Sequence, residues 1–306
     1  MLEPAVVVLR LIQYAAVAIL MGSPLFFVYA LPAAGPGSAA QAPWARGLLA
    51  AAGALLAVSA LMGLVAQTGI MAGSLSEGLK PESLIAVVTG MGLGMAGVAR
   101  AACGALAVVL VLSLPPGRAA WLAVAALGAI AAASFAWMGH GAATEGAGHY
   151  LHLVADILHA WAAAIWVGAL WVFLLLARAG APGPGAVAAL HRALQRFSGV
   201  GTILVAILVL TGLINSGFLV GPDRIEALWT TPYGRLLSLK LAVFAGMLGL
   251  AAANRFRLTP ALGLALEAPG AALAALRRSL MFETALGLGV LALVAWFGTL
   301  APPAAG

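Results

Sequence analysis

Three histidines and an aspartate share one face of a single hydrophobic segment in this chain. At about 100° per residue, His149, His152, Asp156 and His159 fall within a sector of roughly 80° and rise over about 15 Å of helix. His140 lies just before this segment, so four of the five histidines fall within twenty residues. Imidazole and carboxylate at these spacings are ligands that a helix offers to a metal ion. The sequence therefore predicts a metal site on this face.

Methionines lie near this face and in an earlier segment. Met138 precedes His140 by two residues, whereas Met91 and Met95 share one helical face, with Cys103 two turns further along. Thioether and thiolate groups select Cu(I), while imidazole also serves Cu(II) and zinc. A methionine in a membrane helix can equally be an adaptable core residue. The three methionines are therefore candidate Cu(I) ligands or packing residues.

The composition requires a membrane for this chain. It is 64% hydrophobic and 8% charged, against roughly 25% charged residues in an average soluble domain. We therefore expect an integral membrane protein in contact with the lipid bilayer. Cys103 is the one cysteine, which excludes an intramolecular disulfide and a cysteine-rich metal site. The net charge of +6 comes from basic residues scattered at helix ends, which favours membrane topology over nucleic-acid binding.

Eight apolar stretches are long enough to cross a bilayer. The predicted fold class is all-α, a polytopic bundle of eight transmembrane helices forming a single membrane domain over 1–306. Gly168, in the fifth span, is expected to allow close approach of a neighbouring helix. The expected spans are about 4–31, 44–70, 84–113, 118–138, 149–177, 197–220, 233–253 and 278–300.

The loop charges predict the orientation. The odd-numbered loops contain nine arginines, whereas the even-numbered loops contain one lysine and one arginine. By the positive-inside rule, the odd loops are cytoplasmic and both termini are periplasmic in a bacterial inner membrane. His140 and His149 then lie at the periplasmic surface, and His152, Asp156 and His159 descend to about the middle of the membrane.

Ionisable side chains inside a span cost about 2.5–3.5 kcal/mol each and usually mark pathways or sites. Burial of the histidines against neighbouring helices is the alternative, but four on one face are difficult to explain by packing. Lys240 should lie at the depth of Asp156, and an ion pair between them would make Asp156 structural rather than a ligand. Glu283 is expected to pair structurally with Arg255 or Arg257.

The sequence contains no Walker motif and no phosphorylation motif of the D-K-T-G type, and no serine stands out near the histidines. We therefore expect neither ATP-driven pumping by this chain alone nor hydrolase chemistry, and no enzymatic activity.

Several segments resemble the CopD-type copper-resistance membrane proteins. The YGR-LL-LK and NRFRLTP signatures are the most specific, and a CopD-like core is expected over about 134–303. SFAWMGHGAA, DILHAWAAAIWVG and the opening LRLIQYAAVAILMGSPLFF fit the same family. The main segments are FSGVGTILVAILVLTGLINSG (197–217), TPYGRLLSLKLAVFAGMLGLAAANRFRLTPAL (231–262) and RRSLMFETALGLGVLALVAWFGTLAPP (277–303).

This resemblance implies an inner-membrane protein that handles copper, as Cu(I), Cu(II) or both, and works with a periplasmic copper-binding partner of the CopC type. Some family members carry a CopC-like domain on the same chain. This sequence contains none, so a separate partner is expected. The resemblance also implies movement of copper across the membrane, which agrees with the imidazole ligands read independently from the sequence.

The resulting hypothesis is a copper-binding membrane protein that accepts copper from the periplasm and transports it. Its three predicted stations are His140, His149 and Met138 outside; His152 and His159 with Asp156 further in; and Met91, Met95 and Cys103 next. The alternatives are a b-type haem cytochrome that uses the same histidines, and a copper sensor or scaffold that does not transport. Three histidines on one helix suit bis-histidine haem poorly, because its ligands project from opposite sides of a pocket.

Overall fold

The computed structural model describes residues 3–32, 38, 42–138, 146, 148–178 and 184–305, which are helical throughout apart from short connections. Within these residues, eight helical stretches are long and apolar enough to cross a membrane. The predicted all-α class and the number of spans are therefore confirmed. The spans are Glu3–Tyr29, Trp44–Met71, Gly92–Ser113, Arg118–Trp137, His149–Arg178, Gly185–Leu219, Pro232–Leu264 and Gly270–Phe297.

The α-helices of the described ranges are numbered in chain order. A π-helical segment, Asn254–Leu258, joins α10 to α11, and a 3-10 segment, Ser134–Trp137, extends α6. The helices are α1 Glu3–Tyr29, α2 Pro43–Met71, α3 Leu75–Gly78, α4 Pro81–Gly90, α5 Gly92–Ser113, α6 Arg118–Ala133, α7 His149–Arg178, α8 Pro184–Leu219, α9 Ala227–Thr230, α10 Pro232–Ala253, α11 Thr259–Leu264 and α12 Gly270–Phe297.

Four helix boundaries differ from the sequence-based spans, one of them the end of the seventh span, which was expected at 253 and lies at Leu264. The third span was expected to run from 84, but the helix is interrupted at Met91, which has an extended backbone between two glycines. The helices of the sixth and eighth spans, α8 and α12, begin earlier than expected, at Pro184 and Gly270. Hydropathy measures the apolar run, whereas a helix can continue beyond that run as a polar extension. Proline is also well suited to the first turn of a helix, because its missing N–H is not needed there.

The centre of the bundle is formed by α1 and α7. Helix α1 packs against α2, α6, α7 and α12, while α7 packs against α1, α6, α8 and α12. The aromatic rings of Phe26 on α1 and Phe173 on α7 meet edge to face, with centroids 4.7 Å apart. The polar face of α7 is therefore held inside the bundle by contacts with four other helices.

Helices α1 and α7 touch backbone to backbone at Gly22 and Gly168. A Cβ atom built on Gly168 would lie 2.6 Å from the Gly22 Cα, and one built on Gly22 would lie 2.9 Å from the Gly168 Cα. The Ser23 hydroxyl donates a hydrogen bond to the Gly168 carbonyl oxygen at 3.1 Å. The expected close approach at Gly168 is confirmed, with the small residues and the interhelical hydrogen bond that membrane helices use for association.

Glu283 does not form the expected pair with Arg255 or Arg257. Its carboxylate accepts hydrogen bonds from Trp166 and Asn254, and within the described residues it makes no salt bridge. The Arg255 guanidinium instead donates to oxygen atoms of α8. The expectation is wrong because the arginines follow the π-helical turn outward, while Asn254 points inward at the same turn.

The Gly22–Gly168 contact predicts a large effect for one methyl group. Gly168→Ala should destabilise the bundle by about 1–3 kcal/mol, because the new Cβ forces the two backbones apart. Gly249→Ala is the matched control, since a Cβ there meets no atom within 4 Å. Thermal unfolding in detergent would measure both variants. Equal melting temperatures for the two variants would contradict the close contact.

Candidate metal site

The first half of α7 directs its polar face into a cavity inside the bundle. His152, Asp156 and His159 all line this cavity, whose volume is about 220 Å³, and Met138 lines it from the end of the fourth span. Most other residues of α7 are apolar and pack in the core, which fixes the rotation of the helix and thus the direction of this face. The cavity therefore brings together four of the residues that the sequence predicts as ligands.

His152 is held by an aromatic neighbour. It is 1% exposed, and its ring stacks on Phe218 of α8 with centroids 4.7 Å apart and an interplanar angle of 7°. Gly148, one turn earlier, leaves the room for Phe218, since a Cβ there would lie 2.6 Å from the phenyl ring. The stack fixes the plane of the imidazole at the cavity wall.

His159 is oriented by a hydroxyl whose own proton is already used. The Thr211 hydroxyl donates to the Ile207 carbonyl at 2.6 Å, so at its 2.9 Å contact with His159 Nδ1 it acts as the acceptor. In the neutral ring Nδ1 therefore carries the proton. The Nε2 lone pair is then the one available to a metal ion.

Asp156 lies between the two histidines and has weak partners. Asn215 of α8 donates to its Oδ1 at a long 3.4 Å. Lys240 of α10 interacts with it electrostatically, but the two make no salt bridge within 4 Å in the described residues. Instead, the Lys240 ammonium lies 5.8 Å from the centroid of the Phe297 ring. The carboxylate thus keeps lone pairs for a further ligand.

The cavity carries more positive than negative charge. Arg10 and Lys240 line it together with the single carboxylate of Asp156. Arg10 is 8% exposed, and its Nε finds no hydrogen-bond acceptor in the part of the chain that the structure describes. A cation in this cavity therefore needs strong neutral ligands to overcome the repulsion, and imidazole and thioether groups are such ligands.

Met138 connects the cavity to a second buried cation. Its sulfur accepts a hydrogen bond from the guanidinium of Arg100, which also donates to the Ser134 hydroxyl at 2.9 Å. The same guanidinium lies over the Phe135 ring, 4.8 Å from its centroid. Met138 is therefore at the cavity wall, and a metal ion there would compete with Arg100 for the sulfur.

The other predicted ligands lie away from the cavity or outside the described residues. His140 lies outside the described residues. His149 is half-buried at the start of α7, with its ring against Tyr150, and does not line the cavity. Met91 and Met95 are 41% and 64% exposed, also outside the cavity. Their roles as ligands stay predictions.

The candidate ligands on α7 form a series of separate positions rather than one preformed metal centre. Within the described ranges, no three His, Cys, Asp or Glu side chains group closely enough to hold a metal ion. His152 and His159 are seven residues apart, a rise of about 10 Å, so they cannot bind the same ion. Asp156 lies four residues from one and three from the other, within reach of each.

Sequence reasoning missed the partners that other helices supply. Arg10 and Tyr14 come from α1, and Thr211 and Asn215 come from α8. The i, i+4 spacing of Thr211 and Asn215 in an apolar span was a readable signal, because polar residues in such a span tend to face the bundle interior.

These features define a multi-pass α-helical membrane protein with an imidazole-lined cavity inside its bundle. Residues 1–150 match the family described as copper resistance protein D-like, N-terminal domain, and residues 191–297 match copper resistance protein D. The chain is 38% identical over 308 residues to copper resistance protein D of Pseudomonas syringae pv. tomato, covering 98% of this chain and 97% of that protein. This chain belongs to the CopD family of copper resistance proteins. No solved structure matches it.

Family membership agrees with the resemblance drawn from the sequence motifs. It makes copper the metal that the protein handles, and the family is not a known family of enzymes.

Proposed function

We propose that this chain accepts copper from the periplasm and moves it across the bacterial inner membrane, with the cavity of α7 as its binding site. The observation that carries the proposal is the placement of His152, Asp156, His159 and Met138 around one cavity in the membrane span. The family supplies the metal, and the side chains supply ligands that copper prefers.

The spacing of the ligands supports stepwise movement. An ion held by His152 and Asp156 can pass to Asp156 and His159 by exchanging one imidazole for the other, about 10 Å further along α7. The shared carboxylate keeps the ion partly ligated during this exchange. Conduction through such a series requires each position to bind well enough to admit the ion and weakly enough to release it.

The orientation rests on the arginine distribution. Under the positive-inside rule both termini and the start of α7 are periplasmic. In this proposal His140 and His149 form the outer station, next to the connection between the fourth and fifth spans, where a separate copper-binding protein of the CopC type would deliver its ion. Met138 then receives the ion at the cavity wall. Residues 1–306 act as one membrane domain in this proposal.

The size of the cavity favours an ion over haem. Its volume of about 220 Å³ is below the roughly 300–1,000 Å³ of pockets for drug-sized ligands, and haem is at least as large as such ligands. His152 and His159 also project from the same helix, whereas bis-histidine haem needs opposed ligands.

Removing both cavity histidines should remove copper. We expect His152→Ala/His159→Ala to lower copper affinity at least about tenfold, or about 1.4 kcal/mol, because two imidazole ligands are lost. His191→Ala is the matched control, since that imidazole packs near Gly263 outside the cavity. Metal analysis with an absorbance spectrum of the purified proteins would measure this. Equal copper in both variants, or a Soret band, would overturn the copper site.

Flux separates transport from binding alone. Copper uptake into proteoliposomes should occur with the wild-type protein and fail with the double histidine variant. Binding without uptake by the wild-type protein would identify a sensor or scaffold instead.

The positive charge of Lys240 should lower the affinity of the cavity for copper, whereas the negative charge of Asp156 should raise it. We expect Lys240→Met to tighten copper binding by roughly tenfold and Asp156→Asn to weaken it by a similar factor. Lys80→Met is the control, because Lys80 pairs with Glu77 at an exposed loop. Copper titration would measure all three variants. Equal weakening by both cavity variants would mean that Asp156 and Lys240 serve the structure only.

Met91 and Met95 test whether a further station exists on α5. As a further station they would act after the histidines, so Met91→Leu/Met95→Leu should preserve copper binding in the cavity and reduce flux. Leucine keeps the size and apolar character of the side chains. Unchanged flux would remove both methionines from the pathway.

A further inference from the structure

A second cavity contains a buried carboxylate that copper binding does not use. The cavity has a volume of about 230 Å³ and is lined by residues of α7, α8, α10, the π-helical segment, α11 and α12. Glu283 of α12 lines it and is 2% exposed. Thr202 and Arg255 are exposed residues at its rim.

Two neutral donors hold the carboxylate. Trp166 Nε1 donates to Oε1 at 3.0 Å, and Asn254 Nδ2 donates to Oε2 at 2.7 Å. Arg255 is the charged residue besides Glu283 among those lining the cavity, and its guanidinium donates to the Ser198 carbonyl and the Thr202 hydroxyl. Helices α7, α8 and α11 contribute no ionisable side chain to the described cavity wall. The carboxylate is therefore buried without a cation beside it.

An ionised carboxylate in this position is costly. Removing a charge from water into a low-dielectric interior costs several kcal/mol even after relaxation, and two neutral hydrogen bonds offset only part of this. A group in such surroundings is commonly neutralised by a proton. The Glu283 carboxylate is thus in surroundings that favour the uptake of a proton.

Asn254 is built to serve either protonation state. Its Nδ2 faces the carboxylate, whereas its Oδ1 is buried and has no hydrogen-bond partner within the described residues. A side-chain amide carries a donor group and an acceptor atom on opposite sides of its Cβ–Cγ bond. Rotation by a half turn would present Oδ1 to a protonated Oε2, which then donates to it. The oxygen thus gains a partner when the acid forms, and the Nδ2 group moves to the position that Oδ1 leaves.

The backbone supports this adjustment. Asn254 is the first residue of the π-helical segment, where the helix is wider than an α-helix. Single π-helical turns inside α-helices are uncommon and occur frequently at functional sites.

We propose that Glu283 is a proton-exchange site: its Oε2 accepts a proton from water at the Thr202–Arg255 rim, with rotation of the Asn254 amide, and returns it by the same route. One O–H bond forms on the carboxyl as one breaks in hydronium, and the reverse step restores both. The test of this site needs no copper, so the proposal stands or falls separately from the proposed function.

Infrared difference spectroscopy of the full chain in lipid nanodiscs tests the proposal without copper. Lowering the pH from mildly alkaline to mildly acidic should produce the carbonyl stretch of a protonated carboxylic acid in a dry environment. Glu283→Gln should lack this band, while Glu267→Gln, which removes an exposed carboxylate, should retain it. Trp166→Phe should keep the band and shift its frequency, because phenylalanine has no side-chain N–H to donate to the carboxyl group.

The proposal fails if the wild-type protein shows no such band over this range, or if Glu283→Gln keeps it. Asn254→Ala provides a second test should Glu283→Gln fail to fold. Removing the amide should shift the same band, whereas an unchanged band would exclude the Asn254 partnership.

Discussion

The backbone contact between Gly22 and Gly168 is the constraint on which the polar interior depends. Helix α7 carries both the histidine face and Trp166, so its position fixes two polar centres at once. The contact with α1 brings the two helices close enough for Arg10 and Tyr14 to line the cavity opposite the histidines. Larger residues at either glycine would separate these walls, and the cavity would lose its geometry with its stability.

Because the bilayer core contains no water, each polar group inside the bundle needs a hydrogen-bond partner from the protein. The Thr211 hydroxyl donates a hydrogen bond to the Ile207 carbonyl of its own helix and accepts one from His159 Nδ1. This arrangement selects one tautomer of the imidazole. Trp166 and Asn254 similarly satisfy Glu283 without a cation. Hydrogen bonds between helices therefore set the chemical state of the ionisable groups as well as the packing.

The periodicity of one segment was sufficient to predict that His152, Asp156 and His159 share a face, and hydropathy was sufficient for eight spans. The extended break at Met91 and the start of α8 at Pro184 were not predictable, because local turns and polar helix extensions leave no mark on hydropathy. The depth of Lys240 beside Asp156 was predictable from the spans, but the lack of a salt bridge between them among the described residues was not, because it depends on how α10 packs within the bundle. The wrong partner assigned to Glu283 has the same cause.

An apolar cavity of about 280 Å³ separates the two polar centres and touches both, being lined by His159 at one end and Trp166 at the other. Those residues are seven positions apart, so their Cα atoms lie about 10 Å apart along α7, and Trp166 donates its hydrogen bond to Glu283. At an effective dielectric constant of about 20, a unit charge at that distance is worth roughly 1.7 kcal/mol. Protonation of Glu283 would then weaken cation binding at His159 by more than about tenfold, and a bound cation would favour release of the proton by the same factor. If both proposals hold, the low dielectric constant of the interior has two effects. It makes the burial of each charged centre unfavourable, and it strengthens the electrostatic interaction between the two centres.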